Sequence, residues 1–338
     1  MYDPSGLYID PVLSQLSVSL PMQQNYYGLR IMPETPVRTK SGQYRVYDRS
    51  DWLLTEDRRE PGSVAHEIVG GKWSTDVFST REHSLQVPVF DEERWQLTSL
   101  GGLADPIFGG DLELDPEEQA TEKAVRSIFL NHENKVSSLV RNTANYPGAN
   151  TTTLSGASQW DQSSGGTYPY VTSDPVTNIL VGMRAVYAAT LRWPNTLAIP
   201  TLGLSYIEQH PRIIDRFKNY SLTMPNAFQA LTGFVGDIVL LDSMYNAANN
   251  IDATISLTQF WGKDVWLGIV DPQPGQNTMT FGKTFAQIYP DGSTRPTERW
   301  REESRKADLV RTNFSYDLKI VSSSAGYLIK NAFSASAW

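Results

Sequence analysis

Hydrophobic and polar positions follow two periods along the chain. Between residues 36 and 90 the pattern alternates as in half-buried strands: Tyr44–Tyr47, Ser63–Ile68 and Ser84–Val87. The charged run Glu56-Asp57-Arg58-Arg59-Glu60, followed by Pro61-Gly62, lies among them. The two outer strands, joined through this charged middle, predict a protruding β-hairpin. Its charged tip is either a solvated loop or an arm lying on a neighbouring subunit.

From Asp115 the period changes to that of a helix. Asp115 suits an N-cap, Pro116 the first helical position, and Glu118 the far side of a capping box. Val125, Phe129, Val136, Leu139 and Val140 form the apolar stripe, and a helix reaching Asn142 would be about 40 Å long. His132 falls on this stripe and reads as a partly buried, hydrogen-bonded core residue rather than a ligand. Residues 144–172 are rich in Gly, Ser, Thr and Asn and predict a long loop. A second helix begins with Asp174 as N-cap and Pro175 at its first position, with Ile179, Leu180, Met183, Val186, Tyr187 and Leu191 as its stripe. Next come a strand at Thr196–Ile199, a helix, a short helix around Asn226–Leu231 and a strand at Ile238–Leu241. The last third predicts strands at Val265–Val270, Phe281–Gln287, Glu298–Arg301, Leu309–Thr312, and Leu318–Ile329 with a break at Ser322–Gly326. Residues 1–35, with several prolines and little periodicity, read as an extended arm. Helices and strands mix without regular alternation, which is an α+β arrangement.

Composition narrows the function. The 338 residues include 9 Trp, 16 Tyr and 12 Phe, enough for a large core or large subunit contacts. A net charge of −8 argues against gripping nucleic acid by its phosphates, though not against enclosing it. With no cysteine there is no disulfide, zinc–thiolate site or thiol nucleophile. The start lacks a basic stretch and a continuous apolar region, and no apolar run approaches a membrane-spanning length, so a soluble intracellular origin is expected. The Asn-x-Ser/Thr triplets at Asn150, Asn219 and Asn313 then read as chance matches.

Two stretches and the abundance of carboxylates invite a catalytic reading. Ser205, Glu208 and His210 follow a strand, but the Gly-x-Ser-x-Gly elbow is missing, and Glu208 and His210 are too close to share a helix face. His210 precedes Pro211 and reads as a boundary between two helices. Gly70-Gly71-Lys72-Trp73-Ser74 departs from a phosphate loop, since His66 and Trp73 stand where glycine and Ser/Thr are needed. Paired carboxylates of a glycoside hydrolase would need only to be close in space, which any acidic globular protein satisfies. No catalytic, cofactor-binding or metal-ligating residue is assigned, and the chain is not expected to be an enzyme.

Several blocks, in order, are similar to another class of protein. They are PNTLAIPTLGLSYIEQHPRIIDRFK (194–218), VGDIVLLDSMYNAAN (235–249), FWGKDVWLGIVDPQPG (260–275) and ERWREESRKADLVRTNFSYDLKIVSSSAGYLIKNA (298–332). RREPGSVAHEI and LQVPVFDEE fit more loosely. Together they resemble the major capsid proteins of tailed bacteriophages, with the HK97-type fold. The resemblance spans most of the chain from about residue 36 and is strongest after residue 174.

The resemblance implies an HK97-like α+β capsid fold in five parts: an N-terminal arm (1–35), an extended loop (36–90), a peripheral domain with a spine helix (91–173, helix 116–142), an axial domain (174–295), and return strands to the peripheral domain (296–338). It implies a structural subunit that self-assembles into pentamers and hexamers of a phage head around double-stranded DNA, without sequence-specific binding. The corresponding location is the virion, after assembly in the host cytoplasm. An encapsulin-like compartment shell is the alternative within this fold. Because arm-like sequence begins at Met1, a separate scaffolding protein is expected, with a portal and in some cases a decoration protein, and no membrane partner. Arg49, Glu56, Asp57, Arg58, Arg59, Glu60 and Lys72 are the candidate loop-interface residues. Cross-linking through Lys40 or Lys72 is not expected, because no partner asparagine or catalytic glutamate aligns. The core of the axial domain is expected to include Ile199, Leu202, Ile207, Ile213, Ile214 and Phe217.

Overall fold

The computed structural model describes residues 8–9, 26–47, 58, 61–62, 73–92, 94, 116–161, 173–217, 232–248, 255–273 and 278–334. In chain order these form β1 (Tyr8–Ile9), α1 (Gly28–Ile31), β2 (Glu34–Val37), β3 (Ser41–Tyr47), β4 (Trp73–Ser79), β5 (Arg81–Phe90), α2 (Pro116–Val140), β6 (Thr151–Thr153), α3 (Pro175–Thr190), β7 (Thr196–Pro200), α4 (Thr201–Glu208), α5 (Pro211–Phe217), β8 (Asp237–Leu241), β9 (Met244–Asn246), β10 (Leu257–Gln259), β11 (Val265–Gly268), β12 (Gly282–Gln287), β13 (Thr297–Glu302), β14 (Ala307–Ile320) and β15 (Gly326–Lys330).

α2 is the expected long helix, ending at Val140, and its 25 residues span about 38 Å. Val125, Phe129, Val136 and Val140 are buried on one face, as their spacing requires, whereas Leu139, also expected on the stripe, is only half-buried and lines an open cleft. Asp115, the expected N-cap, lies outside the described residues. Glu117 in the first turn receives Arg94 at 2.7 Å and Arg299 at 2.5 Å, so the acidic helix start is tied to β13.

α2 packs on a six-stranded sheet organised by β14. β13 pairs with Ala307–Thr312 and β12 with Tyr316–Ile320, while β5 runs along Ala307–Tyr316, all antiparallel. β2 adds in parallel to β12, and β1 pairs with β13. Side chains alternate along β14 as the pleat demands. Phe314 and Tyr316 pack with Ile128 of α2. Arg311 and Asn313, at the alternate positions before Phe314, form a polar ladder: Glu298 accepts from Arg311 Nε at 2.8 Å and Asn313 Nδ2 at 3.0 Å, and Ser84 Oγ donates to Asn313 at 2.7 Å. The sequence predicted two strands here because these polar residues interrupt the apolar run; one 14-residue strand uses both faces instead.

The second sheet has five strands in the order β6-β15-β11-β7-β8. β7 is buried at every residue, and α3 covers this sheet through Ile179, Met183 and Val186. Asp174 caps α3 as expected, accepting from Thr177 N at 3.2 Å.

Four local expectations need correction. β3 pairs with β4, not with the strand containing Ser84–Val87, which belongs to β5 in the large sheet. The partner switch falls at Thr80, where no Gly or Pro marks it. The Thr-rich stretch of the expected loop contains β6, and Trp160 beyond it is buried against Phe333. Tyr187 and Leu191 are exposed, Leu191 sitting past the helix at the left-handed C-cap of α3 (φ 57°). Leu202 and Ile214 are also exposed, while Ile199, Ile207 and Ile213 are buried; the side chain of Phe217 lies outside the described residues. α4 and α5 are short helices with one buried side each, so neighbouring apolar residues cannot all face the core.

The stretch expected to return as a unit divides. β13 and β14 lie in the large sheet, but β15 joins the five-stranded sheet beside β11. The break foreseen at Ser322–Gly326 is where the chain passes from one sheet to the other. Asn150 supports that passage, donating to the carbonyls of Ser324 and Gly326 at 3.0 Å.

Candidate assembly surface

The β3–β4 ribbon is a separate two-stranded sheet held at its base against the large sheet. Phe78 stacks on Phe285 of β12 with centroids 4.6 Å apart, and Tyr44 packs against the same ring at 5.2 Å. Ser79 N donates to Asp317 at 2.8 Å and Thr80 N to the Lys40 carbonyl at 2.8 Å. Gly42 makes the fit possible: a Cβ there would lie 2.8 Å from the Phe78 ring. Tyr44 OH donates to Asp76 at 2.7 Å, and this bond, with Val77 N, holds the Asp76 carboxyl below its usual range.

Beyond Tyr47 and before Trp73 the ribbon carries the charged segment. Arg58 is exposed, as are Pro61 and Gly62. Arg49, Glu56, Asp57, Arg59, Glu60 and Lys72 lie outside the described residues, as does Ser63–Ile68.

The segment before the ribbon is locked to α2 by a residue the sequence reading passed over. Glu133 is fully buried and accepts from Gly28 N at 2.6 Å, Trp261 Nε1 at 2.5 Å and Ser243 Oγ at 3.2 Å. One carboxylate therefore joins α1, α2, the turn after β8 and the approach to β11. Burial pushes its carboxyl above the usual range, and the donors oppose that push. The signal was present: Glu133 is four residues from Phe129 and three from Val136, on the buried stripe. Tyr27 OH adds a 2.5 Å bond to Asp242 nearby.

His132, next along, is more deeply buried than expected. It lies edge-on to Tyr316 at 5.1 Å, with Thr284 Oγ1 3.4 Å from its Nε2. Burial lowers its pKa to about 3, helped by the positive charge of Arg295. A second junction closes the far end of α2, where Arg141 pairs with Asp264 at 2.7 Å and donates to the Phe260 carbonyl at 2.8 Å.

The three residues that suggested hydrolysis do not assemble. Ser205 Oγ donates to the Leu202 carbonyl at 2.7 Å, and Glu208 is exposed. His210 is buried between α4 and α5, its carbonyl accepting from Ile213 N at 2.9 Å and its Nε2 3.3 Å from Ser173 Oγ. Burial and Arg212 lower its pKa, against Asp174. It is the helix boundary its Pro211 neighbour implied.

Large apolar side chains collect on the surface instead. Trp193, 55% exposed, stacks on Tyr187 at 4.8 Å beside Leu191. Leu257 of the β9–β10 hairpin is 66% exposed and Val235 is 90% exposed, with Met244 and Ile255 also open. Such groups on a monomer's surface favour burial against another protein.

No protein-family model matches the chain. It is 23% identical over 333 residues to a major capsid protein of Burkholderia phage BcepMu, covering 95% of each chain. It aligns with the crystal structure of a phage-related protein from Bordetella bronchiseptica at a TM-score of 0.70 and 22% identity, covering 96% of this chain and 98% of the other. An encapsulin complex from Synechococcus elongatus aligns at a TM-score of 0.50 and 11% identity, covering 93% of this chain and 91% of that one. The architecture is the HK97-like capsid fold expected from the sequence blocks.

Proposed function

We propose that the chain is the major capsid subunit of a tailed-phage head, assembling as pentamers and hexamers into a shell around double-stranded DNA. The observation that carries this reading is the end-to-end alignment with a phage major capsid protein over 95% of both chains. The anchored ribbon and the exposed apolar groups support it. Both gain far more from neighbours than from their own subunit, and apolar area covered by a neighbour contributes about 25 cal/mol per Å² before ordering costs. In this reading the six-stranded sheet with α2 is the peripheral part, and the five-stranded sheet with α3, α4 and α5 belongs to the axial part. The Glu133 and Arg141 junctions join them. The charged loop from Arg49 to Lys72 reaches a neighbouring subunit. The subunit has no catalytic role. Its partners are copies of itself, a separate scaffolding protein, a portal and in some heads a decoration protein. Its place is the virion, after assembly in the host cytoplasm, and its net charge of −8 limits adhesion to the DNA it encloses.

Expression of the chain alone and with neighbouring candidate scaffolding genes, followed by light scattering, tests this. Shells many times the mass of one subunit are expected. A protein cargo in place of DNA would favour a compartment shell, whose fold is the same. A particle of about 38 kDa under every condition would overturn the shell reading and call for a screen of glycosides.

A further inference from the structure

Where the ribbon base, α2 and β14 meet, a cleft of about 560 Å³ opens to solvent. Its walls carry Arg81, His83, Lys135 and Lys319, with Asp317 as the acid among them. Asp317 is already engaged by Ser79 N at 2.8 Å. Lys135 is held in place: its Nζ is 3.1 Å from His83 Nε2 and 3.2 Å from Tyr316 OH, and it stands 5.0 Å from the centre of the Tyr316 ring. Two of the three ammonium protons are thereby directed, leaving one for a ligand. Among the described residues, Arg81, Lys135 and Lys319 form no ion pair, whereas Arg94, Arg141, Arg295, Arg299 and Arg311 all find carboxylates within the chain. Burial and the facing Arg81 lower the pKa of Lys135, and burial, Lys135 and Arg81 lower that of His83, while the charge of Lys319 also acts on Asp76.

We propose that this cleft receives an aspartate or glutamate side chain from a second copy of the chain. The inference rests on the shell reading and adds a contact to it. Three observations favour a protein carboxylate over a phosphate backbone. Val77 stands exposed in the cleft wall, and exposed Leu85 lines an adjoining pocket that shares His83 and Lys135; apolar surface beside a site suits a protein partner. Asp317 within the cleft and Glu82 in the adjoining pocket flank the cationic groups and repel a continuous run of phosphates. The chain also carries 37 acidic residues against 29 basic ones, so every neighbour offers carboxylates in excess.

The test mixes isotope-labelled and unlabelled full-length chains, assembles them, and joins amines to adjacent carboxylates with a carbodiimide. Mass spectrometry then reads the linked peptides. The expected result is a mixed-isotope link from Lys135 or Lys319 to an Asp or Glu of another copy. The double variant Lys135→Met, Lys319→Met should need about tenfold more protein to assemble, the change expected for one lost charge-assisted contact, and Lys319→Met alone should weaken assembly with an unchanged melting temperature. Shells whose cleft lysines link only within one copy, or not at all, overturn the inference and leave the shell reading standing. Lysines shielded only in filled particles and freed by nuclease overturn it in favour of nucleic acid. A chain that never assembles defeats the shell reading itself, and the cleft contact with it.

Discussion

The ring of Phe78 lies on that of Phe285, 4.6 Å away and 12° from parallel. The contact joins the base of the β3–β4 ribbon to a strand buried in the large sheet. A lever is useful only if its fulcrum is fixed, and this pair, with Tyr44 on the same ring, fixes it. Phe78→Ala is expected to free the ribbon while sparing the sheet. Truncating a buried aromatic costs about 3 kcal/mol when the site cannot collapse. Hydrogen exchange should therefore accelerate at residues 41–47 and 73–79 but not along β14. Uniform acceleration would show that the ribbon is part of the global core.

Glu133→Ala should be among the most damaging single changes in α2. It leaves Gly28 N, Trp261 Nε1 and Ser243 Oγ without their acceptor, and buried donors left unmet cost about 1–3 kcal/mol each. The sign of the pH effect follows from burial. The folded protein raises this carboxyl above its unfolded range, so its contribution is fully present at low pH and declines as pH rises through the raised value. Urea denaturation at several pH values, compared between wild type and Glu133→Gln, isolates that limb.

His132 acts in the opposite sense. Its folded pKa of about 3 lies below the ordinary value near 6.5, so the unfolded chain takes the proton first. Stability that is complete above about pH 6.5 should fall as pH drops toward 3. His132→Asn is expected to flatten this acid limb, and an unchanged slope would place the proton uptake elsewhere.

Trp193→Ser and Leu257→Ser remove apolar surface that the subunit itself does not bury. Both should keep the wild-type unfolding free energy to within the roughly 0.5 kcal/mol usual for surface changes, yet lower the yield of assembled particles. A matching loss of subunit stability would mean that these side chains serve the fold rather than its contacts.

Reversal of Arg58 and Arg59 to Glu should weaken assembly more than folding. Equal yields and equal shell stability would show the charged run to be a solvated tip. His210→Ala, by contrast, should cost modest stability and leave assembly intact.

Much of this architecture was legible where local chemistry determines it. Asp174-Pro175 marks a helix start on any fold, and the stripe of α2 faces inward at all of its expected positions but Leu139. Partner choice was not legible. Nothing near Thr80 announces that the chain leaves one strand pair for another, and Thr151–Thr153 has the composition of a loop until Leu328 and Ile329 pair with it. Exposure on α4 and α5 was misjudged for a related reason. Leu202 and Ile214 look like core residues to a reading that assumes one subunit, and sequence alone does not say whether an apolar group is covered by its own chain or by a neighbour. Glu133 was readable as a carboxylate on a buried stripe, but its partners come from residues 28, 243 and 261, far away along the chain.

The central claim is that this chain functions through contacts with its own copies. Electron microscopy of the purified full-length chain, classified for rotational symmetry, tests it most directly. Closed shells built from rings of five and six subunits are the predicted result. A monodisperse single subunit at every concentration, with and without a scaffolding partner, would contradict it.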